Sequence, residues 1–319
     1  MKSTYACLCK PKQKIELRQK VLEPEEDQVL VQIIACGICR GDIIKFTQKH
    51  DLEEPFGHEP VGQIVATGPW VKGLYKGDWV VGAAEPGFAT HVLCREVNLI
   101  KVPAEIGQSG ALSEPFKCVT TVVRAAAADF GDTVVVVGCG FMGLAAISAL
   151  KGGYLRELVA VDTMELRLKL ALELGATTVL NPAKYDVIQK VRRLTSMRGA
   201  DAVIEFAGNT KAITLAANLV RKRGRLVVAG GRIPQADGEG TLDALYMGAY
   251  TTHYAPPMFS PDQYDDWRRT IEAIRHGHYP SARLLTHTFP LSQIQKAFET
   301  AVAGDSGRYI KGIIINDLT

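Results

Sequence analysis

One stretch constrains the fold more than any other. Val134-Val135-Val136-Val137 runs directly into Gly138-Cys139-Gly140-Phe141-Met142-Gly143, and an uncharged apolar segment continues to Leu150. A short β-branched run suits a strand buried on both faces. Three glycines then make a turn, and the residues after it have the texture of a helix. The G-x-G-x-x-G pattern gains weight from lying between a strand and a helix, where each glycine has a task. The first permits the tight turn, the second lets backbone approach a pyrophosphate, and the third lets helix pack on strand. The phosphates then meet the positive end of the helix. The uncharged stretch Thr133 to Leu150 is long enough to be mistaken for a membrane span. Its glycines and valine run fit strand, turn and helix better.

Downstream the alternation continues. Leu158-Val159-Ala160-Val161-Asp162 reads as a strand, with a helix through Glu173. Ala202 to Phe206 is a strand, Ala212 to Val220 a helix, and Arg225 to Ala229 a strand again. Strands alternating with helices predict a parallel sheet covered on both faces. Asp162 ends its strand near the ~20-residue offset at which an acid hydrogen-bonds the ribose 2′-hydroxyl of NAD. The same carboxylate repels the 2′-phosphate of NADP. Arg167 lies a turn into the following helix. Gly138, Gly140, Phe141, Met142, Gly143, Asp162 and Arg167 are therefore candidate NAD contacts.

The first 115 or so residues have a different texture. Val29 to Ile34, Val61 to Ala66, Asp78 to Val81, Phe88 to Leu93 and Asn98 to Val102 read as short strands bounded by Gly, Pro or Asp, which suggests a small barrel or sandwich. After Pro256-Pro257 come a helix from Asp262 to Arg275, a helix from Ser292 to Val302 and an apolar strand, Lys311 to Ile315. That last strand needs a partner, and the N-terminal β region is the simplest one. With 319 residues two domains are expected. The boundaries read as 1–117 with 258–319, and 118–257.

Composition excludes several classes. Hydrophobic residues make up 47 % of the chain, enough to fold. Lys plus Arg is 37 against 34 for Asp plus Glu, too even a balance for a nucleic-acid partner. Seven scattered cysteines do not form a disulfide framework, and no apolar signal core follows Met1; a cytoplasmic setting is expected.

The N-terminal region also holds Cys36-Gly37-Ile38-Cys39-Arg40-Gly41-Asp42, then Gly57-His58-Glu59, and later Ser113-Glu114-Pro115. One thiolate, one imidazole and one or two carboxylates suit a catalytic zinc site, which keeps one position open. A Cys-x-x-Cys redox pair, or a histidine satisfied in the core, accounts for the same residues, and spacing alone leaves these readings open.

Taken together the chain resembles the zinc-dependent medium-chain dehydrogenase/reductase superfamily, in its alcohol, sorbitol and threonine dehydrogenase group. The resemblance rests on Cys36 to Asp42, Gly57 to Gly62, Gly77 to Val80, Leu112 to Pro115, the glycine block and the ending from Phe289 to Phe298. It implies an α/β plus β fold: a chaperonin-10-like β domain and a Rossmann domain with a doubly wound parallel sheet, the active site lying between them. It implies that Cys39, His58, Glu59 and Glu114 are metal ligands. Asp42 is then an acid orienting the histidine, Glu59 and Asp42 are the catalytic carboxylates, and Cys36 is a small buried hydrophobe. Phe46, Phe56 and Tyr250 are read as packing rather than as substrate contacts.

Two departures from the family pattern matter. No cluster of four cysteines follows Trp79, so one zinc per chain is expected and the structural zinc lobe is absent. Relatives often carry Ser or Thr two residues after the first ligand and His five after it; here those positions are Gly41 and Ile44. Water beside Gly41 is the expected proton carrier, with His50 second and Lys45 and Glu59 as further candidates. The implied activity is NAD-dependent oxidation of a secondary alcohol, such as a polyol, sugar or cyclitol. The alternatives are reduction of C=N or C=C bonds, or an idle NAD-binding sensor. A homodimer or homotetramer is implied, paired along Tyr246 to Tyr254. The other partner is a small-molecule substrate, with no nucleic acid and no membrane.

Overall fold

A computed structural model describes residues 1–319 except 10–12, 49–52, 83, 231–247, 249, 256–259 and 319. The chain divides into two compact units, Met1–Pro115 with Ser281–Thr319, and Phe116–Pro280.

The first unit is built on β1 (Lys2–Cys9), β2 (Lys14–Val21), β3 (Gln28–Gly37), β4 (Glu54–Pro55), β5 (Glu59–Thr67), β6 (Trp79–Gly82), β7 (His91–Arg95) and β8 (Leu99–Val102). β2, β1 and β4 form a small antiparallel sheet. β3 is the spine of the larger one. β5 lies along one side of it, while β7 pairs with Gln28–Gln32 on the other. The alternation of β3 changes phase at a register shift between Ile33 and Ala35. Before the shift Val29, Val31 and Ile33 enter one core, with Ile64, Val80 and Val92. After it Cys36, with Ile38 just beyond the strand, enters another, with Phe46, Phe56 and Phe88. One extra residue thus lets a single strand serve two cores.

The second unit contains β9 (Thr133–Val137), β10 (Glu157–Val161), β11 (Thr178–Leu180), β12 (Ala200–Glu205), β13 (Val220–Val228) and β14 (Thr251–Tyr254). All pair in parallel, in the order β11-β10-β9-β12-β13-β14. The order reverses between β9 and β12, which is the doubly wound pattern the sequence predicts. β9, the valine run, is buried throughout, and the uncharged stretch after it resolves as a turn and the helix Phe141–Leu150. Among the described residues no helix is long and apolar enough to cross a membrane.

The tail supplies β15 (His287–Pro290) and β16 (Gly312–Ile315) to the first unit. β16 pairs antiparallel with Ala35–Gly37 of β3, where β7 has left the edge vacant. Phe298, on helix Ile294–Ala303, sets its ring 5.3–5.6 Å from Phe46, Phe56 and Phe88, tilted to the first and edge-on to the other two. The apolar ending therefore finds its partner in the N-terminal region, and Phe46 and Phe56 are core residues.

Helix Gln263–Arg275 belongs to the second unit rather than to the tail. Its buried Asp266 accepts from Thr121 Oγ1 at 2.6 Å and from Ser260 Oγ at 2.5 Å, and pairs with Arg124. Thr120 reaches Thr270 and Tyr279 at 2.7 Å each. These groups fasten it to helix Ser113–Ala126. Pro256-Pro257, where the sequence places the boundary, lies outside the described residues.

Candidate metal centre and dinucleotide turn

Cys39 is the cap residue of helix Arg40–Thr47. Its sulfur accepts from Gly41 N at 3.4 Å, while Asp42 Oδ2 accepts from Cys39 N at 3.1 Å. This reciprocal cap places the Cys39 sulfur at the start of the helix, facing the imidazole that Asp42 also holds. The other oxygen of buried Asp42 lies 3.5 Å from His58 Nδ1. Asp42 therefore holds both the helix start and the imidazole, as the sequence implies. Gly57 turns the chain into His58 with φ +95°; a Cβ there would sit 2.6 Å from the Phe88 ring. Only glycine meets both conditions.

Glu59 opens β5 opposite Gly37 of β3 and is 1 % exposed. The candidate ligand atoms of Cys39, His58 and Glu59 lie within 4.8 Å of one another, and among the described residues no other three such side chains cluster this way. Donors bound to one zinc at about 2.0–2.3 Å lie roughly 4 Å apart or less. Small side-chain adjustments therefore close the three on an ion, and a sulfur, nitrogen and oxygen set suits zinc. Glu114, at the first turn of helix Ser113–Ala126, does not join this cluster, though its charge helps raise the Glu59 pKa.

The electrostatics fit a cation site. Asp42, and after it Cys39, push the His58 pKa up to about 11, so a metal cation displaces a proton there. Burial raises Glu59, and the Lys311 ammonium opposes it. Burial lifts the Cys36 thiol well above its ordinary range, as befits an inert core residue. Lys311 is the residue the sequence reading misses. Its Nζ is 2.6 Å from Glu59 Oε2, and both side chains are buried.

Position 41 opens beside the cap. A Cβ on Gly41 would meet only Cys39 Sγ, at 3.7 Å. Ile44 is 41 % exposed, and Lys45 pairs with Glu54 at the surface, 3.3 Å away. His50 lies outside the described residues.

In the second unit the three glycines meet different surroundings. Gly138 has φ +95°, and a Cβ on it would sit 2.8 Å from Ala207 N. A Cβ on Gly143 would lie 1.9 Å from Gly138 O. Gly140 has nothing within 4 Å of its Cβ position, and it caps helix Phe141–Leu150 without a side-chain hydrogen bond. The helix thus presents free backbone to an approaching phosphate. Phe141 turns its ring onto Phe116, 5.4 Å away, so its main chain is what remains for a ligand. Met142 is half-buried. Asp162 accepts from Cys139 N at 2.7 Å and Met164 N at 2.8 Å, tying the end of β10 to the turn. The buried Nε of Arg167 has no hydrogen-bond partner among the described residues. These features fit a dinucleotide.

Comparison with known proteins agrees. Residues 25–124 match the alcohol dehydrogenase GroES-like domain, and residues 142–268 match the zinc-binding dehydrogenase family. The chain is similar to YdjJ of Escherichia coli K12, an uncharacterized zinc-type alcohol dehydrogenase-like protein, at 29 % identity over 98 % of this chain and 99 % of YdjJ. It is 28 % identical to sorbitol dehydrogenase of Bacillus subtilis 168, covering 86 % of this chain and 87 % of that one. A solved Escherichia coli oxidoreductase of unknown specificity superposes with a TM-score of 0.87 at 26 % identity over the whole of both chains. The chain belongs to the zinc-dependent medium-chain dehydrogenase/reductase superfamily. Its place there is with the zinc-type alcohol and polyol dehydrogenases.

Proposed function

We propose that the protein oxidises a secondary alcohol with NAD, or reduces the corresponding ketone, at a zinc held by Cys39, His58 and Glu59. The substrate class is a polyol, sugar or cyclitol, in keeping with a relative named sorbitol dehydrogenase. The observation that carries this reading is the cluster of three donors with Asp42 fixed behind it. A catalytically idle sensor has no use for such a set. When bound, zinc supplies a Lewis acid to the substrate oxygen and the nicotinamide accepts or gives hydride. The chain's own residues do the positioning. Asp42 orients His58, the start of helix Arg40–Thr47 holds the Cys39 sulfur in place, and Gly138, Gly140 and Gly143 shape the phosphate turn. Glu114 stays near Glu59 as an alternative carboxylate. With Gly41 and Ile44 in place, water in the space beside Gly41 carries the proton.

Asp162 supports NAD over NADP, since its carboxylate is already fixed at the end of β10 by two N–H groups. Among the described residues β14 is the edge of its sheet, and the reading includes a homodimer or homotetramer paired along it. The described Tyr254 is exposed on that strand, while Tyr246 lies outside the described residues. Seven cysteines without disulfides suit the cytoplasm.

The lack of a side-chain relay at positions 41 and 44 favours a second reading, reduction of C=N or C=C bonds. A screen of secondary alcohols, polyols, imines and enones, followed by NADH absorbance, separates the two. Oxidation of at least one alcohol is expected. Turnover confined to imines or enones would overturn the first reading.

A further inference from the structure

Lys311 precedes the last strand and is 5 % exposed, an unusual place for an ammonium. Its position is held on every side. Lys311 O accepts from Thr286 N at 3.0 Å and from His287 N at 3.2 Å, and Lys311 N donates to Thr286 Oγ1 at 3.3 Å. Two residues on, Ile313 pairs with Gly37 of β3, and Gly37 pairs on its other side with Glu59. The sheet thus brings the tail lysine to the metal-centre carboxylate, and the two meet at 2.6 Å.

A buried carboxylate needs a cation, and a buried ammonium needs an anion. Glu59 lies within reach of two cations, the ammonium of Lys311 and a metal bound with Cys39 and His58. A neutral hydrogen-bond donor in the place of Lys311 would orient the carboxylate without adding a second positive charge. An ammonium instead competes for the same negative charge. We propose that Lys311 is a positioning residue that holds Glu59 as a resident counter-ion, sharing its carboxylate with the metal and so tempering the grip of Cys39, His58 and Glu59 on the ion. This rests on the reading of Cys39, His58 and Glu59 as metal-binding residues.

The arrangement predicts the sign of a substitution. With the ammonium gone, Glu59 loses its buried Lys311 partner in the metal-free chain, and a metal ion takes that place. Zinc affinity is measured by chelator competition in the wild type, Lys311→Met, Lys311→Arg, Glu59→Gln and the Lys311→Met/Glu59→Gln double variant. Lys311→Met should bind zinc at least about tenfold more tightly, on the scale at which groups behind a ligand act. Its cobalt-substituted form should show shifted visible bands. Lys311→Arg should keep the wild-type spectrum and affinity. In the Glu59→Gln background, Lys311→Met should have no such effect, because there is no carboxylate to release. If Lys311→Met unfolds without metal, its thermal midpoint must rise more on adding zinc than that of the wild type. Unchanged or weaker zinc binding in Lys311→Met, or equal tightening without Glu59, would overturn the proposal. A wild type that binds no zinc would remove the reading of the metal centre itself.

Discussion

Asp42 serves two neighbours at once, the backbone of Cys39 and the imidazole of His58. Asp42→Asn keeps the shape but loses the charge, and groups of this kind are worth about 10–100-fold in metal affinity. Chelator titration should show that loss; an unchanged affinity would mean that His58 is oriented by something else. Asp162 has a comparable double role, with its carboxylate on two N–H groups of the turn region. Asp162→Ala should weaken NAD binding and narrow the preference over NADP, by losing the anchor and the repulsion together. A wild type that used NADP as well as NAD would refute that role. Cys39, His58 and Asp42 could be singled out because their motifs resemble those of the family, where spacing alone left the reading open. Lys311 was not: a lone lysine is ordinarily solvated, and its burial follows only from where the last strand pairs. Glu114 was marked by its motif, yet its distance from the other donors depends on a helix start that spacing does not fix.

Elements with strong runs were legible and marginal ones were not. The valine strand β9 and the helix after it follow from β-branching and glycine placement. β2 is half-exposed along its length and gives only a faint alternation. Helix Ser113–Ala126 is hidden by Pro115, a residue that usually marks a break but is tolerated in a first turn. Helix Gln263–Arg275 was found as a helix but placed in the tail, because its attachment is polar. Asp266 binds it to Thr121 and Arg124 of the neighbouring helix. Asp266→Ala should cost about 2 kcal/mol, the scale of a hydrogen bond to a charged group. Denaturant unfolding should show this; a variant as stable as the wild type would mean that the apolar contacts of the helix suffice.

At the scale of the whole molecule, the two-part plan and the return of the tail were legible from texture, because an apolar final strand must pair. The phase change within β3 was not, since one inserted residue leaves no mark on composition. Among the described residues β14 is the last strand of its sheet, and such an edge predicts association: light scattering at micromolar concentration should give a dimer or tetramer, and a monomer would remove that idea. The number of metal ions is also a property of the whole chain. One cluster of three donors among the described residues, and no four-cysteine lobe in the sequence, give one site. Elemental analysis of purified wild type and Cys39→Ser, both shown to be folded, tests the account most directly. It predicts about one zinc per wild-type chain and nearly none in the variant. A wild type without zinc, or a Cys39→Ser chain that retained its full complement, would contradict it.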